Sequence, residues 1–320
     1  MTVTPPVGDV TPPLAVDIDG TLTDEQSAVA PRVFDVLREW DAEVVVATGK
    51  ALPYPVALCQ FVGIPASVIA ENGGVAYVDR TDDLLFLGDR AASQAVVEEY
   101  RAAGHGLGWG THDMVNRWRE TEVAVSRDSP LEPLERIAAQ HGLEVVDTGF
   151  AYHVKSAEVS KGQALSNVAE RLGRETEEFV AVGDSVNDAS TFEVAGRSFA
   201  VGNADDVARA AADVVVEERY AEGFLAVVER ERFRRTLVRN GCSVDVRNYR
   251  YTKNLPRTLL SLLCPPIHVA QFSVHWSGFQ LWVASPQPKH GHSQLSSRYG
   301  TRRSSNHGNS ETRPDFPMGH

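Results

Sequence analysis

A short apolar run, Leu14-Ala15-Val16, ends in two aspartates one residue apart, Asp17 and Asp19, followed by Gly20-Thr21-Leu22-Thr23. A run of this length and composition is expected to form a buried strand. In extended backbone Asp17 and Asp19 share a side, so both carboxylates reach one space. At the carboxyl end of a strand in an open α/β sheet, that space is the crevice where ligands bind. Two carboxylates forced together repel unless a divalent cation lies between them or one keeps a proton. A solvated acidic turn would explain a bare Asp-x-Asp, but the Gly-Thr-Leu-Thr that follows weighs against it.

Later strand ends repeat the arrangement. Ala28–Trp40 has helical apolar spacing, and Glu43–Ala47 is a β-branched run expected to be a buried strand. That strand delivers Thr48-Gly49-Lys50: a hydroxyl, a flexible glycine and a cation, the donors a phosphate needs. After a helix over Pro55–Val62, the strand Ser67–Ala70 closes in Glu71-Asn72-Gly73-Gly74, read as a hinge out of the first half of the sheet. A helix starts near Lys161 and runs to Leu172. The strand Phe179–Val182 then ends in Gly183-Asp184-Ser185-Val186-Asn187-Asp188, where a helix start favours negative charge. Short strands at Ser198–Val201 and Val214–Val216, with helices over Asp205–Ala212 and Ala221–Glu231, complete the pattern. Taken singly, Lys161 reads as a surface lysine at a helix start, and Asp184 and Asp188 as helix caps.

The expected fold class is α/β. Its Rossmann-like parallel sheet core comprises residues 14–78 and 156–230, with a small α+β cap of residues 79–155 inserted between the second and third motifs. His112, Asp113, Arg117 and Arg119 fall on expected loops of that insertion and are candidates to face a ligand or to be solvated surface. Residues 1–13, rich in Pro and Thr, read as a flexible lead-in without the pattern of a secretory signal. Cys59, Cys242 and Cys264 show no metal or redox spacing. With no apolar run long enough to span a membrane, the expected location is a reducing cytoplasm.

Charge divides the chain. Residues 1–230 hold 18 basic and 39 acidic side chains, a net −21, and only three lysines: Lys50, Lys155 and Lys161. Residues 231–320 hold 13 basic and 4 acidic, a net +9. An acidic, lysine-poor body suits a salt-rich cytosol, where ions screen its self-repulsion. Beyond residue 231 periodicity fails, and the segment reads as an atypical basic tail, disordered or a non-native extension.

Asp17-x-Asp19-Gly20-Thr21, a hydroxyl at Thr48, Lys161 and Gly183-Asp184-x-x-x-Asp188 resemble, in order and spacing, the haloacid dehalogenase superfamily. Only 28 residues separate Asp19 from Thr48, so the insertion lies in the superfamily's second cap position. Together with Glu-Asn-Gly-Gly, this looks most like the archaeal phosphoglycolate phosphatase group, which is similar to sucrose-phosphate phosphatases. The acidic body suits a halophilic archaeon.

The resemblance implies a Mg²⁺-dependent phosphatase acting on a small phosphorylated substrate, 2-phosphoglycolate first. It implies Asp17 as nucleophile, Asp19 as general acid and base, and Thr48, Gly49 and Lys161 on the phosphoryl group. Asp17, Asp184, Asp188 and the backbone carbonyl of Asp19 would hold the metal. The alternatives are a sugar-phosphate phosphatase, a phosphomutase, or an interaction protein using the basic tail. Arg302-Arg303 lie in no recognisable nucleic-acid module, so nucleic acid is not an expected partner, nor is a membrane. The oligomeric state is left open.

Overall fold

A computed structural model describes residues 10–239. In chain order the elements are β1 (Leu14–Asp17), α1 (Pro31–Arg38), β2 (Val44–Ala47), α2 (Pro53–Val62), β3 (Ser67–Ala70), β4 (Val75–Val78) and β5 (Asp83–Phe86). Then come α3 (Arg90–Ala102), β6 (Val123–Ser126), α4 (Leu131–Gln140), β7 (Leu143–Asp147) and β8 (Ala151–Ser156). The last are α5 (Lys161–Leu172), β9 (Val180–Gly183), α6 (Ala189–Val194), β10 (Arg197–Ala200), α7 (Asp206–Ala211), β11 (Val214–Val215) and α8 (Tyr220–Arg239).

One sheet has the order β11-β10-β9-β1-β2-β3-β4-β5, parallel from β11 through β3 and antiparallel at β4 and β5. Its inner strands are buried on both faces, which is why they read as continuous Val/Ala runs. On one face Leu14, Val16 and Val46 pack with Leu37, Leu58, Val62, Phe224 and Val228 from α1, α2 and α8. On the other, Ala15, Val45 and Ala181 pack with Leu165, Val168, Leu172 and Phe192 from α5 and α6. From β1 the chain moves outward through β2, but from β9 it moves the opposite way through β10. The carboxyl ends of β1 and β9 therefore flank a topological switch point, where open α/β sheets bind ligands.

The insertion is a three-stranded antiparallel sheet, β6-β8-β7, under α3 and α4, with its own core of Val96, Tyr100, Val125, Leu134, Ile137 and Val154. Two boundaries differ from the sequence expectation. The strand expected within the insertion near Leu84 is β5, which pairs with β4 at the edge of the large sheet, so the smaller module begins after it. The boundary expected at residue 230 falls inside α8. Glu231 is wholly buried there and pairs with Arg197 and Arg234, while Arg235 lies over the Trp40 ring and bonds Thr11. The expected tail beyond residue 239, and the lead-in before residue 10, lie outside the described residues. Among the described residues, no helix is long and apolar enough to cross a membrane.

Candidate active site

Asp17 is the last residue of β1 and is 5% exposed. Asp184 and Asp188 follow β9, the strand beside β1. One carboxylate oxygen from each of Asp17, Asp184 and Asp188 falls within a single group 4.8 Å across. Asp188 is fixed by the N–H groups of Asp184 and Ser185, which donate to its Oδ2 at 3.0 and 3.1 Å. Asp184 accepts from the Asn203 amide at 3.2 Å and the Thr21 hydroxyl at 3.4 Å. Gly20, at φ +83°, passes so close that a Cβ there would lie 2.0 Å from an Asp184 oxygen.

Lys161 opens α5, whose N-cap is Ser160. It is wholly buried, which removes the surface-lysine reading. Its ammonium donates to Asp17 at 2.8 Å, Asp188 at 2.7 Å and the Asn187 side-chain oxygen at 3.1 Å. Burial by itself would lower its pKa, but Asp17 and Asp188 more than offset that and keep the ammonium charged. One ammonium does not balance three carboxylates. Burial, reinforced by the neighbouring carboxylates and only partly countered by Lys161, pushes Asp17 well above the usual carboxylate range. Burial and then Asp188 push Asp184 up to about 7, against the pull of Lys161. An excess of buried carboxylates offering only oxygen donors fits a hard divalent cation.

The other expected residues are placed differently. The Asp19 side chain is half-exposed and lies outside the three-carboxylate group, with both oxygens 2.7 Å from Lys50 Nζ. Its carboxylate is thus not a fourth member. Thr48 is wholly buried at the end of β2, its hydroxyl accepting from the Lys50 N–H at 3.1 Å. Gly49 lies against Asn72, whose Oδ1 would be 2.9 Å from a Cβ there.

Sequence reasoning missed a buried polar chain that joins this site to the insertion. Asn72 Oδ1 accepts from Asn187 Nδ2 at 2.9 Å, and Asn72 Nδ2 donates to Glu122 at 2.9 Å. Glu122 is also paired with Arg119 and lies 2.9 Å from His153 Nδ1, all three side chains being 4% exposed or less. Burial alone would raise the Glu122 pKa, but His153 and Arg119 hold it down at about 2. Beside it, buried Glu71 accepts from the N–H groups of Glu120, Thr121 and Glu122. Of the four loop candidates, Arg119 is therefore committed to Glu122. Asp113 closes a turn onto Asn116, and His112 and Arg117 are exposed. The Glu-Asn-Gly-Gly hinge was the available signal for Asn72, and the spacer of Gly-Asp-x-x-x-Asp for Asn187.

Known proteins share this architecture. A sequence profile described as haloacid dehalogenase-like hydrolase matches residues 14–100 and 134–228. A protein of Halobacterium salinarum named phosphoglycolate phosphatase is 61% identical over 69% of this chain and 97% of its own length. A Natronomonas pharaonis protein of the same name is 58% identical over 69% of this chain and 97% of its own. Among solved structures, a Thermoplasma acidophilum protein superposes with a TM-score of 0.60 at 23% identity, covering 70% of this chain and 99% of its own, which speaks to fold alone. The mostly parallel sheet, the carboxylate cluster at its switch point and the matched profile agree: the chain belongs to the haloacid dehalogenase-like hydrolase family.

Proposed function

We propose that the protein hydrolyses a small phosphomonoester, 2-phosphoglycolate foremost, through a phosphorylated Asp17. The observation that carries the reaction class is Asp17 itself, a buried carboxylate at the switch point held by Lys161. The substrate comes from the name shared by relatives that match over nearly their whole length.

A phosphomonoester dianion repels an anionic nucleophile, so its oxygens need positive charge and hydrogen-bond donors before attack. Lys161 provides charge next to Asp17, and the Thr48 hydroxyl and Gly49 N–H offer neutral donors at the adjacent strand end. Asp17, Asp184 and Asp188 are the residues to hold a divalent cation, Mg²⁺ by this reading, which when bound supplies further positive charge to the phosphoryl oxygens. Asp17 attacks phosphorus and the ester P–O bond breaks, while Asp19 gives its proton to the departing oxygen. Asp19 then takes a proton from the attacking water, and the P–O bond to Asp17 breaks to release phosphate.

The test is phosphate release from 2-phosphoglycolate, sugar phosphates and other small phosphomonoesters, each with Mg²⁺ and with a chelator. The expected result is highest kcat/KM on 2-phosphoglycolate, silence under chelation, and a loss of at least about 10³-fold in Asp17→Asn. Full activity in Asp17→Asn would sink the mechanism. A sugar phosphate turning over best would replace the substrate.

A further inference from the structure

The sequence singled out Lys50, and the mechanism above gives it nothing to do. Its ammonium lies 2.7 Å from both oxygens of Asp19, so the free enzyme has its proton-transfer residue clamped by a cation. While the clamp holds, neither oxygen is free to take up a proton from solvent and carry it to an ester oxygen. Both side chains are about two-fifths exposed, and an ion pair so open to solvent is weak and easily exchanged. A site that must release Asp19 for each turnover is served by a pair of this kind, provided the substrate brings Lys50 another anion.

The position of Lys50 suits that exchange. Gly49 before it touches Asn72 at the hinge, and Tyr54 beyond it meets Trp118 of the insertion with ring centroids 6.4 Å apart. Lys50 therefore lies on the core side of the boundary with the insertion. With phosphorus at Asp17 and the ester oxygen at Asp19, the rest of the leaving group extends toward this boundary. The buried cations around the site are committed. Lys161 serves Asp17 and Asp188, Arg119 and His153 close on buried Glu122, and Lys155 holds Glu144 and two carbonyls.

We infer that Lys50 is a specificity-determining residue that trades Asp19 for a carboxylate on the leaving group, so that a phosphomonoester with an acidic leaving group frees the proton-transfer residue and one with an uncharged leaving group does not. This rests on the proposed phosphatase reaction and deepens it by assigning the group that recognises the acid.

The experiment compares kcat/KM on 2-phosphoglycolate with that on ethyl phosphate, a phosphomonoester whose leaving group carries no charge, in wild type, Lys50→Gln and Lys50→Arg. Because each protein is judged by the ratio of its two substrates, a partial loss of folding cancels. Wild type should prefer the acid. Lys50→Gln should lower the preference by about ten- to hundredfold, the scale of one charge-assisted hydrogen bond, mainly through KM for the acid. Lys50→Arg should restore most of it. If wild type prefers the acid and Lys50→Gln keeps the full preference, the Lys50 assignment is wrong and the substrate reading stands. If wild type shows no preference for the acid, both fall.

Discussion

Asp184 shows how one side chain would tie stability to a divalent cation held by the carboxylate cluster. Its ordinary pKa is near 3.8 and burial beside Asp188 brings it to about 7 in the folded chain. The folded state therefore binds a proton that the unfolded chain has lost, throughout the window between those values. Stability then falls as pH rises across the window and levels off above about 7, because the slope follows protons bound unfolded minus folded. Asp17 is shifted in the same direction. A divalent cation competes with those protons, so its stabilisation must run the opposite way. We expect the rise in Tm on adding Mg²⁺ to be small near pH 5 and to grow as pH rises toward 7. Thermal melts with Mg²⁺ and with chelator at each pH would measure this, and the difference between them removes every group that the metal does not touch. Asp184→Asn should flatten the dependence. Stabilisation by Mg²⁺ that shrinks with rising pH would mean that these carboxylates are not its site. At this scale the sequence was informative where a charged residue stands at a strand end or a helix start, as at Asp17, Asp184 and Lys161, which the fold brings together. It was silent on Glu122 and His153, which meet each other and Asn72 from distant segments.

The turn after β3 is the element that couples the two modules. Glu71, Asn72 and Gly73 all have positive φ, at 53°, 54° and 103°, conformations that non-glycine residues adopt at a cost. The cost is met by bonding. Glu71 gathers the backbone of residues 120–122, and Asn72 reaches both Glu122 and the Asn187 that contacts Lys161. Asn72→Ala should leave Glu122 and Asn187 each one bond short, destabilising by roughly 1–3 kcal/mol, and should reduce kcat about tenfold as Asn187 loosens on Lys161. Urea unfolding and phosphate release read the two effects, and an unchanged kcat would make the turn purely structural. The hinge was legible from its glycines, but of the two only Gly73 has positive φ. Gly74 is at φ −66° and is small because Thr121 Oγ1 stands 2.0 Å from where a Cβ would be. The parallel strands were legible because burial on both faces leaves an unbroken apolar run. The membership of β5 was not, since its alternately half-buried and exposed residues say nothing about which sheet it joins. The length of α8 was hidden too. Its last turns are charged, and what fixes them is tertiary: Arg197 on Glu231 and Arg235 over Trp40.

For the whole molecule, the question is where the folding unit ends. Residues 1–239 carry 22 basic and 40 acidic side chains, and residues 240–320 carry 9 and 3. The family profile ends at residue 228, and the halophile relatives align over 220 or 221 residues of this chain and 97% of their own length, so the rest of this chain has almost no counterpart in them. A cut after Arg230, where the periodicity ends, would remove the Glu231 carboxylate. That would strand Arg197, whose guanidinium burial alone already disfavours its charge, and would free Arg235 from Trp40. A buried cation that loses its paired carboxylate is costly, by about 3–5 kcal/mol where burial is complete and less here, where the Arg197 side chain is 29% exposed. We therefore expect the chain cut after Arg239 to match the full chain in Tm and kcat at high salt, and the chain cut after Arg230 to melt lower. At low salt the acidic body repels itself, and the basic residues beyond 239 can offset part of that across a Debye length of about 8–10 Å. The full chain should accordingly exceed the Arg239 cut in Tm at low salt, with the gap closing as salt is raised. Melting curves of the three chains from low to molar salt, with phosphate release alongside, decide the matter. A gap between the full chain and the Arg239 cut that persists in molar salt would place residues beyond 239 within the folding unit.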